Sequence, residues 1–275
     1  MKFFAAAVSI LLSAEAVLAS PVTLVPRESR SAQRASQRRT RPRVGVPGPA
    51  VKGANGGGGA APIAHVDYSQ NWAGAVLVGS GYTSVTGTFT VPTPKQPSGG
   101  SSSTQYAASA WVGLDGDTCQ TAILQTGIDF NVKGKSVSFD AWYEWFPDYA
   151  YTFSGFEIRA GDVIRLTAAA TSKSAGSVLI ENHTTGKNVS HAFTGESNEL
   201  CETNAEWIVE DFEAGGSLVP FANFGTVTFT DCAVTRTGGT TTGVSGATII
   251  DMEQDNNLLT SCNTSGANKV TCSYV

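Results

Sequence analysis

From Trp72 onward the chain runs through short segments rich in Val, Ile, Thr and aromatic residues, separated by clusters of Gly, Ser, Asn and Asp. No window carries a helical apolar period over three turns. Twelve segments read as strands: Trp72–Val78, Ser84–Val91, Ala108–Leu114, Thr121–Ile128, Val137–Phe146, Val163–Ala170, Ser177–Glu181, Asn188–Phe193, Ala205–Glu210, Thr226–Thr230, Ala247–Met252 and Lys269–Tyr274. Many short strands without intervening helices imply an all-β, antiparallel sandwich or barrel. The polar stretch Pro92–Gln105 reads as an exposed, nickable loop.

The first residues have a different logic. Lys2 is followed by an apolar run, Phe3–Leu12, too short to cross a bilayer, and Val17-Leu18-Ala19 supplies the small residues of a cleavage site. Residues 1–19 therefore read as a secretory signal peptide, and the expected destination is extracellular. Residues 20–64 hold eight Lys or Arg against Glu28 alone, a charge of +7, and lack hydrophobic periodicity. Residues 65–275 hold 9 Lys or Arg and 21 Asp or Glu, a charge of −12. With the signal neutral, these sum to the chain's net −5. Behind a secretory signal a basic arm has no nucleic-acid partner to meet, so the expectation is a removable propeptide that docks on an acidic domain.

Secretion also permits disulfides. All five cysteines, Cys119, Cys201, Cys232, Cys262 and Cys272, lie in the acidic domain. Cys262 and Cys272 flank an Asn-Thr-Ser-Gly turn and read as a hairpin staple. Cys119 with Cys201 is the second expected pair, which leaves Cys232 as a buried thiol. Asn182, Asn188 and Asn263 head glycosylation sequons. No CxxC or HxxxH spacing occurs, so no metal and no cofactor are expected. Asp115-Gly116-Asp117 reads as a turn. There is no GxSxG, HExxH, or paired DTG or DSG, and His65, His183 and His191 are poorly placed for a nucleophile system.

Alternation along the strands is more informative. One face of Asp140–Phe146 carries Asp140, Trp142, Glu144 and Phe146; one face of Ala205–Glu210 carries Glu206, Ile208 and Glu210. Thr121, Ile123 and Gln125 share a face, as do Trp111 and Asp115. Acids and amides beside large aromatics on several strands describe a substrate face on a sheet. A carbohydrate-binding or glycoside-hydrolysing β-sandwich is the alternative, with Glu144 and Glu210 as its two acids.

The segments AWVGLDGDTCQTAILQTG (110–127), DAWYEWFPDYAY (140–151) and CETNAEWIVEDFE (201–213) resemble the fungal glutamic peptidases, or eqolisins. The opening Ser69–Gly74 and the closing Cys272–Val275 match as well, so the resemblance covers essentially all of 65–275. It implies a sandwich of two seven-stranded antiparallel sheets, concanavalin-like in shape, behind a signal and a basic propeptide. It implies a catalytic pair at Gln125 and Glu210, supported by Trp111, Asp115 and Glu144, with Asp140, Trp142 and Phe146 lining the substrate face. Phe146 departs from the family, which is expected to carry tyrosine there. The implied activity is acid endopeptidase, with protein and peptide substrates, the propeptide 20–64 as inhibitor, no membrane partner and a monomeric state.

Such a pair suits acid. A carboxylate can take a proton from water and pass it to the leaving amine, while an amide donates to the oxyanion. An amide does not titrate, and a hydrogen-bonded carboxylate is expected to stay ionised near pH ~3. The +7 arm is expected to let go once carboxylates protonate, below about pH 4.

Overall fold

The computed structural model describes residues 38–47 and 66–275. The expected signal peptide, the remainder of the basic arm and His65 lie outside the described residues. All twelve expected strands form, with boundaries shifted by a few residues. Val66–Ser69 and Thr260–Thr264 are additional strands, too short to show an alternation of their own.

Two sheets stack. In the first, the strands run in the order Gly45–Val46, Val66–Ser69, Thr248–Gln254, Trp72–Val78, Asn204–Glu210, Gln105–Leu114, Ile123–Lys133, Ser136–Phe146, Tyr151–Thr152, and Asn257–Leu258 pairs with Thr248–Gln254. In the second, the order is Lys187–Thr194, Ala175–Asn182, Val163–Ser172, Tyr82–Thr90, Thr226–Arg236, Val270–Tyr274, Thr260–Thr264, with Thr241–Thr242 beside Thr226–Arg236. Each sheet thus has seven strands of four residues or more, and two-residue strands raise the totals to ten and eight. Val66–Ser69 pairs in parallel with Thr248–Gln254 and so joins segments from opposite ends of the domain. A small third sheet joins Arg38–Arg39, Glu213–Ala214 and Ser217–Leu218.

Period-two alternation explains the stacking. Val112, Leu114, Leu124, Ile128, Phe130, Ala141, Trp145, Ala205, Trp207 and Val209 point inward from the first sheet. They meet Val85, Phe89, Ile164, Leu166, Val178, Ile180, Phe229 and Val234 from the second. Each large side chain buried this way contributes about 1.5–3 kcal/mol. Trp207 crosses the interface and donates its indole N–H to the Thr86 carbonyl at 2.9 Å. Gly87 lies beneath that ring, where a Cβ would come within 2.8 Å of it.

The first sheet is buried on its other face too. There Trp72, Val76, Trp111, Ile123, Trp142, Ala150, Ile208 and Ile250 form a second, smaller cluster against which Phe146 packs. Every residue of Asn204–Glu210 is consequently buried. This outer face is where the polar candidates lie.

Both expected disulfides are present. Cys262 and Cys272 are directly opposed in the terminal hairpin. Cys119–Cys201 spans 82 residues and ties the turn after Leu114 to the entry of Asn204–Glu210. Cys232 is a free, buried thiol, pushed up to about 12 by burial. His191 stacks on Tyr143, with ring centroids 4.0 Å apart. Of the sequon asparagines, Asn188 and Asn263 are exposed. Asn182 is buried, its amide N–H₂ donating to Asp162 at 2.8 Å and its oxygen accepting from the Thr184 and Thr185 N–H groups.

Replacing Cys119 and Cys201 together by alanine is expected to lower the unfolding free energy by about 2–4 kcal/mol, because a long loop is freed in the unfolded chain. Denaturant titration measures it, and unchanged midpoints would contradict a stabilising tie.

Candidate active site

The floor of the outer face is built from three rows of residues that the strand register aligns. Glu206, Gly113, Gln125 and Glu144 lie opposite one another on four neighbouring strands. The next row is Ile208, Trp111, Gly127 and Trp142, and the third is Glu210, Ser109, Asp129 and Asp140. Glycine is required in the middle of two rows. A Cβ on Gly127 would meet the Ala110 carbonyl at 2.6 Å, Trp111 at 2.5 Å and Trp142 at 2.8 Å. A Cβ on Gly113 would meet Trp111 at 2.8 Å, and the Gln125 Cβ and a Glu206 carboxylate oxygen at 3.1 Å each. A side chain at either glycine would collide with an indole, and one at Gly113 would also crowd Gln125 and Glu206 on the two flanking strands.

Gln125, Glu144, Glu206 and Glu210 are fully buried. Glu210 accepts from the Trp111 indole N–H at 3.0 Å and from the Thr40 hydroxyl at 3.0 Å, both on Oε2. Its Oε1 has no partner, and neither polar atom of Gln125 has one. Glu144 accepts from the Thr40 backbone N–H at 3.1 Å. Thr40 thereby joins Glu210 to the carboxyl group facing Gln125. Trp142 donates its indole N–H to Ser109 at 3.1 Å, and Trp111 packs edge-on against Trp72 at 4.9 Å. Asp140 accepts from the Asn131 amide at 3.1 Å, at the far end of its row.

Asp115 sits elsewhere. It follows the end of its strand in a left-handed conformation (φ 69°) and accepts from the backbone N–H groups of Glu202, Thr203 and Asn204 and from the Thr203 hydroxyl, at 2.8–3.1 Å. None of these bonds goes to Gln125 or Glu210. Asp115 instead fixes the turn that leads into the strand carrying Glu206 and Glu210. Phe146 packs against the aromatic cluster and offers the carboxyl groups no hydroxyl. Asp115 also groups with Cys119 and Cys201 at metal-like spacing, but both sulfurs are committed to the disulfide and offer no thiolate.

Residues 38–47 of the basic arm cover this face. Arg38 is 2% exposed, with its Nε donating to both oxygens of Asp129 at 2.8 and 3.0 Å. Arg41 pairs with Glu213 at 2.7 Å, and Arg43 with Asp67 at 2.9 Å and Asp117 at 3.0 Å. The Arg39 guanidinium lies over Tyr149. Asn71 receives the Val44 N–H and donates to the Arg41 and Pro42 carbonyls. Gly45–Val46 then pairs with Val66–Ser69 at the sheet edge.

Asp129 and Ser109 were missed as site residues. The strand expected at Thr121–Ile128 actually runs from Ile123 to Lys133, so the alternation that selects Gln125 continues to Asp129. Ser109 precedes Trp111 by two on the same face. The site role of Arg38 and Thr40 has no local signal: it depends on where the arm lies.

Burial dominates the electrostatics. It raises Glu144 to about 8, against which Arg38 and the Thr40 N–H pull down. Burial raises Asp140 to about 6, with Asp129 adding to the shift. Glu206 is held well above the ordinary value by burial, then by Asp115 and Asp117. Glu210 is likewise held well above it by burial, opposed most by Arg38 and reinforced by Glu144. The expected carboxylate, ionised near pH ~3, is therefore not the state of Glu210 beneath the arm; hydrogen bonding is outweighed by removal from water.

The outer face gathers buried acids and an uncommitted amide beneath residues 38–47. The Peptidase A4 family profile matches residues 70–274. Aspergillopepsin-2 of Aspergillus niger is 51% identical over 281 residues, covering 96% of both chains. Scytalidopepsin B of Scytalidium lignicola is 43% identical over 284 residues, covering 100% of both. The crystal structure of scytalido-glutamic peptidase with a transition state analog inhibitor superposes with a TM-score of 0.68 at 46% identity, over 75% of this chain and 98% of that one. The chain belongs to the Peptidase A4 family and is a peptidase.

The raised carboxyl values set a direction for stability. A group whose folded pKa lies above its unfolded value stabilises the fold below the unfolded pKa and loses that contribution as pH rises through the folded one. With Asp140 at about 6, Asp211 at about 7 and Glu144 at about 8, the melting midpoint of the full chain is expected to fall from pH about 4 to pH about 8. Calorimetry across that range checks it; a midpoint that rises would contradict the assigned shifts.

Proposed function

We propose that this protein is a secreted acid endopeptidase of the glutamic type, made as a precursor with a signal peptide at 1–19, an inhibitory propeptide at 20–64 and a monomeric peptidase domain at 65–275. The substrates are proteins and peptides. The observation that carries the reading is the basic arm lying along the outer face, with Thr40 bonded to both Glu210 and Glu144.

Once the arm leaves, the unpartnered oxygen of Glu210 and the amide of Gln125 are the groups available to hold a water. Glu210, ionised, takes a proton as the water oxygen attacks the peptide carbonyl. The Gln125 N–H₂ donates to the oxyanion that forms. Glu210 then returns the proton to the nitrogen as the C–N bond breaks, leaving a carboxylic acid and an amine. For Glu210 to ionise in acid its burial must be relieved. Displacement of the arm does this by readmitting water, while the Trp111 hydrogen bond continues to favour the charged form. Glu144 and Trp142 position the pair and the substrate, and Asp115 acts through the turn it anchors. Asn188 and Asn263 are the sequons accessible to glycans.

The same titrations govern release. Arg38 lowers the pKa of Asp129, Glu144 and Glu210, so its own ion pairs weaken as these groups protonate, while burial, the larger cause, raises the same groups and works in the opposite sense.

Glu210→Gln and Gln125→Ala are each expected to reduce cleavage of denatured protein at acid pH by at least about 10²-fold with folding intact. Digestion assays with circular dichroism decide it: full activity in either variant, or cleavage of a polysaccharide instead, would overturn the assignment. Arg38→Leu in the full chain is expected to shift acid processing to higher pH, followed by gel electrophoresis after timed incubation. Unaltered processing at every pH would show that Arg38 is not the latch.

A further inference from the structure

Arg38 is held by a pocket whose walls belong to the domain. Its Nε faces both Asp129 oxygens, and its Nη2 donates to Ser109 at 3.2 Å. Its Nη1 donates to Thr40 of its own segment at 3.1 Å. The guanidinium plane lies 3.7 Å from the Trp142 ring centre and 4.5 Å from that of Phe212. Glu144 and Glu210 stand further off, at 3.5 and 3.9 Å. The walls are held by one another: Ser109 donates to the Ile128 carbonyl at 3.2 Å and receives the Trp142 indole N–H. Fork-shaped donors between two aromatic faces match a planar guanidinium better than the point charge of lysine.

The backbone around Arg38 is also held as a bound peptide would be. Arg38–Arg39 adds antiparallel to Glu213–Ala214, and the Arg38 carbonyl receives the Ala150 N–H at 3.1 Å. In strand addition of this kind, main-chain bonds supply affinity and side-chain pockets supply selectivity. The edge is open to any extended peptide once the arm is gone.

We propose that Asp129, Ser109, Trp142 and Phe212 form a substrate side-chain subsite selective for arginine, which Arg38 fills in the precursor. The proposal deepens the peptidase reading above and rests on it. A neutral side chain in the pocket leaves the buried Asp129 without its counter-charge, which is strongly unfavourable unless the carboxyl takes up a proton. With Arg38 in place, burial raises Asp129 and the guanidinium pulls it down, as a counter-charge does.

The test uses the full chain after acid incubation and peptides identical except for one residue, Arg, Lys or citrulline, walked through the positions flanking the cleaved bond. At one position kcat/KM for Arg is expected to exceed that for citrulline by roughly tenfold or more, with Lys between them. Asp129→Asn is expected to abolish that preference. Equal cleavage of Arg and citrulline peptides at every position would overturn the subsite while leaving the peptidase reading standing. If no peptide is cleaved, the peptidase reading fails, and the pocket is judged by binding. In the full-chain Arg38→Ala variant, N-acetyl-arginine amide is expected to raise the melting midpoint, whereas N-acetyl-citrulline amide is not. Equal effects of the two, or none, would refute a guanidinium site.

Discussion

A carboxyl group taken out of water must find a cation or keep a proton, and this chain buries several on one face of one sheet. Glu144, Glu206 and Glu210 are fully enclosed, and Asp129 nearly so. Much else follows from that constraint. It explains why an arm rich in arginine lies over the face, why the acids sit above their ordinary values, and why acid is the condition in which such a domain is most comfortable.

The sandwich makes this burial possible. An antiparallel sheet usually turns one face to a core and one to water. Here the second sheet covers the inner face through Trp207, Phe89 and their neighbours, while Trp72, Trp111 and Trp142 make the outer face apolar as well. The tryptophans also aim the acids. Trp111 holds one oxygen of Glu210, and Trp142 holds Ser109, so the polar groups are set by rigid rings rather than by flexible loops. The two glycines in the floor, Gly113 and Gly127, stand where a side chain would collide with those rings.

The arm and the domain are complementary in more than net charge. Arg38, Arg41 and Arg43 each find a carboxylate, and Arg39 finds a tyrosine ring. The partly exposed pairs, such as Arg41 with Glu213, contribute little individually, since solvent screens them. Arg38 differs because its partner, its hydrogen bonds and its aromatic faces are all desolvated together.

Much of this was legible in the sequence, because strand alternation is a local property. The faces carrying Trp142 with Glu144, and Glu206 with Glu210, follow from period two; the twelve strands follow from short β-rich runs between turn residues, and the charge reversal at residue 65 from composition. The motifs identified the family before any coordinates did. Asp129 escaped because the strand was ended at Ile128, three residues after Gln125. The position of Asp115 escaped because the chain turns into a left-handed conformation there and leaves the strand's alternation. What only tertiary structure decided is which residues meet: that Gly113 stands between Glu206 and Gln125, that Arg38 reaches Asp129 across 91 positions of sequence, and that burial sets the acids' charge state. Those depend on strand order, register and exclusion of water, which are sums over the whole fold and are carried by no single segment of it.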